Sequence, residues 1–280
     1  GVPVLGPLVE ELAADRIDAI RGIFNGTTNH ILSTMASDGR EYEDVLSEAQ
    51  ARGYAEADPV SDVEAFDAAY KLVLLSRLAW DGWIDVERLQ RSAPAFGGET
   101  SPGITGVKRG HMGVAARMGL ALKLVSRARR TDEGILAGVT PMAVSTSSSL
   151  GSTGGVRNLV ELDADLVGRV TMAGPGAGGP ATSSAILSDV LAIGAGSGST
   201  WGRLPPADDL AVADDLTDEC GWLVVVDGLG EAGFPEAVKE LALASTDEGF
   251  VSRPMTLTTM TSRLGVFDRP IAVYPVLTDA

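Results

Sequence analysis

The stretch GYAEADPVSDVEAFDAAYKLVLLS, residues 53 to 76, sets a string of carboxylates and one lysine at a turn and along the helix after it. Pro59 pushes Asp58 into extended geometry, so GYAEADP reads as a loop. Ser61 with Glu64 three residues on has the form of a capping box, which predicts a helix beginning at about Asp62. Phe66, Ala69, Tyr70, Val73, Leu74 and Arg77 follow a 3.6-residue period, and Asp67 and Lys71 stand four apart on one face.

Taken alone, Asp67 and Lys71 read as a solvated surface pair, worth only a few tenths of a kcal/mol. Tyr54, Glu56, Asp58, Asp62 and Asp67 all fall close to that lysine, however, and stability gains little from so many acids around one amine. A site for a small zwitterion would use them. Carboxylates hold an ammonium group, and the lysine exchanges a proton with an oxygen.

Composition narrows the alternatives. The net charge is −16 and the sequence pI is about 4.5, a balance that repels nucleic acid and anionic membrane surfaces. Cys220 is the single cysteine and His30 and His111 are the only histidines, which excludes an intrachain disulfide framework and a multi-cysteine or multi-histidine metal centre. No apolar run has the length of a membrane span, and GVPVLGPL lacks the features of a signal peptide, so a cytoplasmic protein is expected.

Upstream of the central stretch, Pro7 opens a helix over residues 8 to 14 with Leu8, Leu12 and Ala13 inward, and IDAIRGIFNG reads as a strand entering a turn. Asn25 or Thr28 can cap the next helix, NHILSTMAS, and His30 is expected to be structural. YEDVLSEAQARG is a helix stopped by Gly53. Downstream, Trp80 and Trp83 read as packing residues, residues 91 to 104 as a loop, and HMGVAARMGLALKLVSRARR as a helix running into a strand. Lys123 and the Arg127, Arg129 and Arg130 cluster are expected on a solvated strand edge. GILAGVTPMAV, VRNLVEL and LVGRVTMAG read as further strands. Gly174, Gly176 and Gly178 form a turn into the helix TSSAILSDVLAIG, capped by Thr182 or Ser183. Such a turn offers unpaired amides to an anion or a cofactor amide, although it lacks the GxGxxG spacing of a phosphate loop. The element order predicts an α+β fold, a mixed β-sheet with helices on one face.

GIFNGTTNHIL, AQARGYAEADPVSDVEAFDAAYKL and TMAGPGAGGPATSSAILSDVL, in that order and spacing, resemble the catalytic region of homoserine dehydrogenase over roughly residues 1 to 195. The resemblance implies reversible NADP- or NAD-dependent interconversion of homoserine and aspartate semialdehyde, on the pathway to threonine and methionine, by a homodimer. It assigns the proton-transfer role to Lys71 and substrate binding to Thr27, Tyr54, Glu56, Asp62 and Asp67. Cofactor contacts fall to Asn25, Gly174, Gly176 and Gly178, and no metal ligands are expected. Ala65 stands where the family usually has glycine; as a good helix former it is expected to be tolerated.

Residues 1 to 198 are expected to form a catalytic and dimerisation domain, 199 to 218 an acidic linker, and 219 to 280 a small C-terminal α/β domain. In that tail GWLVVVDGLGE, FPEAVKELALAS, MTLTTMTS and IAVYPVLT read as strand, helix, strand and strand. The order resembles the ACT domain that some family members carry, which binds an amino acid effector; a degenerate or structural tail is preferred, since GLGEAGFPEAV keeps the expected turn only loosely. No dinucleotide fingerprint occurs in these residues, and the resemblance places that domain, a second lysine and a monovalent-cation loop before the position of Gly1. The chain therefore reads as the substrate half of such an enzyme; the alternative is a non-catalytic paralogue that binds an amino acid or pairs with a full-length subunit. Purified chain given homoserine and NADP is expected to show no reduction of the nucleotide by absorbance, and a measurable rate would refute this.

Overall fold

A computed structural model describes residues 1–96, 100–199, 204–214, 216, 218–229, 233–267 and 270–277. Parts of the 91 to 104 loop, the 199 to 218 linker and the GLGEAG turn lie outside them. Along the chain the strands are β1 (Ile17–Ile23), β2 (Ala95–Phe96), β3 (Leu120–Thr131), β4 (Gly134–Ser145), β5 (Arg157–Ala164), β6 (Gly168–Pro175), β7 (Val212–Asp214), β8 (Gly221–Val226), β9 (Ala242–Ser245), β10 (Gly249–Ser252) and β11 (Ile271–Leu277). The helices are α1 (Gly26–Asp38), α2 (Tyr42–Ala51), α3 (Val60–Val63), α4 (Phe66–Trp80), α5 (Arg109–Arg117), α6 (Ser149–Ser152), α7 (Gly179–Gly194), α8 (Glu236–Lys239) and α9 (Leu257–Leu264).

Among the described residues the strands join one mixed sheet in the order β6-β5-β1-β3-β4-β11-β8-β10-β9, with β2 on β11 and β7 on β4. The β3–β4 hairpin is its spine, paired from Leu120 opposite Ser145 to Thr131 opposite Gly134. Helices α1, α4 and α5 pack on β3, and Ile31, Leu32, Leu72 and Val114 bury there with Ile20, Leu122 and Leu124. Each fully buried aliphatic side chain contributes about 1.5–3 kcal/mol, so this face holds the sheet and the site helices together. The α+β reading of a mixed sheet with helices agrees with this arrangement; α1, α4 and α5 share one face, whereas Leu150 of α6 packs with Ile23, Val125 and Met142 in a separate cluster and α7 buries no side chain.

The central helix differs from its sequence reading. Ser61 and Glu64 form no capping box; α3 is a single turn, and the chain breaks at Glu64 and Ala65 before α4 begins. Ala65 has φ +70°, the left-handed region that costs a residue with a Cβ about 1–2 kcal/mol. A neighbouring loop holds the break. Ile104 N–H donates to the Val63 carbonyl at 2.9 Å, and Gly103, at φ +54°, lies so close that an added Cβ would be 1.9 Å from the same oxygen. The buried face of α4 is also rotated from the predicted one. Ala68, Ala69, Leu72, Val73 and Leu75 are buried, whereas Tyr70 and Leu74 are exposed. The run AAYKLVLLS is apolar over too many phases for periodicity alone to choose.

Lys123 is not on an edge. Strand β3 lies between β1 and β4, and the lysine is buried, donating to Thr153 O at 2.7 Å, Asn29 Oδ1 at 3.0 Å and Ser33 Oγ at 3.3 Å. Arg129 is likewise on this inner strand and pairs with Asp218. Ala13 and Trp83 are more exposed than expected, while Trp80 is buried and donates to Ile17 O at 2.7 Å. Helix α7 has Gly178 as its N-cap and no side-chain cap, and its Ile186, Leu187, Val190, Leu191 and Ile193 are exposed.

In the tail, FPEAVKELALAS divides into the short α8 and β9, and MTLTTMTS contains α9, capped by Thr256, in place of a strand. The observed order is β-α-β-β-α-β. Alternation along β8 turns Leu223 and Val225 to the main core, and Trp222, Val224 and Val226 to a second cluster with Val238, Met260 and Leu264.

Two measurements follow. Ala65→Gly relieves left-handed strain while losing a buried methyl and adding unfolded-state entropy, so its net change is expected within about 1 kcal/mol. Ala69→Gly, equally buried but inside α4, is expected to lose about 1–2 kcal/mol more in chemical denaturation. Burial lowers the Lys123 pKa to about 8. Between about pH 8 and the unfolded value of 10.5 the unfolded chain binds more protons, so stability rises with pH. Lys123→Met is expected to remove that rise, on the order of 3 kcal/mol across the window, as read from denaturation curves of the two proteins.

Candidate active site

The site is assembled where β1 passes into α1. Asn25 is the N-cap of α1: its Oδ1 accepts from Thr28 N–H at 2.8 Å, which fixes one end of the amide. The other end, Nδ2, donates to Asp62 Oδ1 at 2.7 Å and to Asp67 Oδ2 at 2.8 Å. In an unbroken helix, residues five apart would point about 140° away from each other. The break at Ala65 is what turns both carboxylates toward one amide.

Lys71 projects from the next turn of α4. Its Nζ donates to Asp67 Oδ2 at 2.7 Å and to the Phe24 carbonyl at 3.0 Å. Asp67 Oδ2 thus receives both the lysine and Asn25. The Lys71 and Asp67 side chains are 46% and 31% exposed, so this pair adds little to stability. Beside them Thr27 Oγ donates to the Tyr54 carbonyl at 3.0 Å, and the Tyr54 ring meets His30 edge to face at 4.9 Å. Gln50 Nε2 donates to the Glu56 carbonyl at 3.0 Å, which ties the loop to α2. The Glu56 carboxylate is exposed, and among the described residues no contact joins it to Lys71.

A cavity of about 230 Å³ opens next to Lys71, walled by Phe24, Leu74, Asn158, Val160 and Gly176. Gly176 therefore stands at the site, Gly178 is the N-cap of α7 at φ +103°, and Gly174 lies in β6. The structure brings together Asn25, Asp62, Asp67, Lys71 and Gly176, with Thr27 and Tyr54 alongside. Glu56 remains on the open side of the loop.

Sequence reading missed two participants. The Phe24 carbonyl is a backbone group and has no residue-type signal. Asn158, buried on β5, donates to that same carbonyl at 3.0 Å. Its only signal was an amide within the strand reading of VRNLVEL, where Arg157 and Glu161 are polar as well. A second cavity of about 340 Å³ lies between α5 and the tail, beside His111, Asp227 and Tyr274. Burial pushes the His111 pKa down, and His111 Nδ1 lies 2.7 Å from the Tyr274 hydroxyl. Among the described residues no cluster of His, Cys, Asp and Glu could hold a metal ion, and no helix is long and apolar enough to cross a membrane.

A sequence profile described as homoserine dehydrogenase matches residues 3–191. The homoserine dehydrogenase of Mycobacterium tuberculosis is 40% identical over 195 residues, covering 68% of this chain and 42% of that protein. The Neisseria gonorrhoeae enzyme is 39% identical over 193 residues, covering 69% and 42%. The chain thus spans less than half the length of these curated relatives. The crystal structure of a homoserine dehydrogenase from Thiobacillus denitrificans superposes with a TM-score of 0.81 at 26% identity, over 99% of this chain and 68% of that one. A hyperthermophilic archaeal homoserine dehydrogenase mutant in complex with NADPH superposes with a TM-score of 0.56 at 26% identity, over 70% and 53%. The profile covers most of the chain and includes every residue that converges on Lys71, and on that ground the chain belongs to the homoserine dehydrogenase family.

Proposed function

We propose that these residues form the substrate-binding and proton-transfer part of a homoserine dehydrogenase, interconverting L-homoserine and L-aspartate 4-semialdehyde with NADP or NAD. The observation that carries this reading is the Lys71 ammonium, held by Asp67 and the Phe24 carbonyl at the edge of a cavity that also meets the glycine-rich turn. A stabilising ion pair needs neither the cavity nor a second carboxylate bridged to it through Asn25.

In the oxidative direction the substrate alcohol loses a hydride from carbon and a proton from oxygen. Lys71, as the free amine, takes the proton; in reduction it returns it as the ammonium. The nicotinamide supplies the hydride acceptor. The residues here fit the nicotinamide end of such a cofactor: Gly176 lines the cavity, and nothing lies within 4 Å of a side chain built on Gly178. Asp67, whose Oδ1 is left over by Lys71 and Asn25, and Glu56, on the open side of the loop, would bind the substrate ammonium. Thr27 orients Tyr54 and its loop, and Asp62 acts through Asn25 to hold Asp67.

The family resemblance extends the proposal to a cytoplasmic homodimer in threonine and methionine biosynthesis. It also gives the exposed apolar side of α7 a role, packing on the nucleotide-binding domain. Residues 1 to 198 would be the catalytic and dimerisation unit, and residues 219 to 280 an appended unit joined by the 199 to 218 segment.

Lys71→Ala, in an active enzyme containing these residues, is expected to lower kcat by about 10²–10⁴-fold, the usual worth of a positioned acid or base. The KM for homoserine should change only a few-fold. Steady-state kinetics with unchanged turnover would remove Lys71 from the mechanism.

A further inference from the structure

The Phe24 carbonyl oxygen serves two donors, Lys71 Nζ at 3.0 Å and Asn158 Nδ2 at 3.0 Å. The ion pair between Lys71 and Asp67 lies within one helix, four residues apart, and reaches the β1–α1 turn only indirectly, through Asn25 on the same Asp67 oxygen. The bond to Phe24 is the lysine's own direct tie to that turn. What holds that carbonyl therefore helps to hold the lysine.

Asn158 is only 8% exposed, on β5 between β1 and β6. Its amide can be oriented in one way only, because the flipped form would set oxygen against the Phe24 oxygen. Its own Oδ1 is buried with no hydrogen-bond partner among the described residues, a deficit that an apolar side chain of the same size would not carry. Gly176 packs directly on it: a Cβ there would lie 2.3 Å from Asn158 Nδ2. The glycine-rich turn thus clamps the amide from one side while the amide holds Phe24 on the other.

We infer that Asn158 is a positioning residue for Lys71, acting through the Phe24 carbonyl and held in place by Gly176. An ammonium has three N–H groups. With two directed at Asp67 and Phe24, the third position is left for the oxygen that exchanges the proton. This inference rests on Lys71 as the proton carrier.

Asn158→Leu keeps the volume and removes the donor. In an active enzyme containing these residues it is expected to lower kcat about tenfold or more while KM for homoserine stays within about threefold, as expected for lost orientation. Gly176→Ala, which displaces the amide without deleting it, should reproduce the loss. A folded Asn158→Leu enzyme with unaltered kcat overturns the inference. If Asn158→Leu does not fold, the Gly176→Ala kinetics decide, and an unaltered kcat in that variant overturns the inference. Turnover that survives Lys71→Ala would instead defeat the proton-carrier reading.

Discussion

One side-chain nitrogen, Nδ2 of Asn25, lies 2.7 Å from one carboxylate and 2.8 Å from another, and the geometry of the site depends on that bridge. Two anions brought this close repel, and a neutral amide compensates only in part. The Lys71 ammonium on the shared oxygen of Asp67 supplies the remaining positive charge. The amide can serve both acids because capping α1 has already consumed its oxygen, which leaves the nitrogen aimed outward. A helix cap and a charge bridge are therefore two ends of one side chain.

The chain accepts local strain for this arrangement. Ala65 sits in left-handed geometry with its methyl buried, and the carbonyl of Val63 is bonded by Ile104 from a remote loop. Without the break, Asp62 and Asp67 would project from different sides of one helix. The strain thus lies on the link between backbone conformation and electrostatics.

Charges elsewhere in the molecule behave differently. Arg21 and Glu161 pair at 2.6 Å on adjacent strands with side chains only 8% and 4% exposed. Lys123 is buried among three acceptors. Such buried groups are committed to the fold, because breaking one leaves an uncompensated charge. The half-exposed Lys71 is committed to it much less, and it borders a cavity through which a ligand could reach it.

Local chemistry was legible in the sequence. The strand IDAIRGI, the Asn25 cap, the spacing of Asp67 and Lys71 and the α+β order all follow from periods, caps and neighbours within a few residues. Three motifs at family spacing also carried the resemblance. The burial of Lys123, the strand order and the contact between Asn158 and Phe24 were not legible. They depend on which strand lies beside which, a matter of residues more than ninety positions apart. The break at Ala65 was hidden for the same reason. Alanine favours helix by itself, and only a glycine loop docking from residues 103 and 104 makes the left-handed turn the lower-energy state. Sequence determined which groups could do the chemistry, since that is a property of side-chain type and short spacing. Tertiary structure decided which of them meet, since packing overrides a local preference worth about 1 kcal/mol.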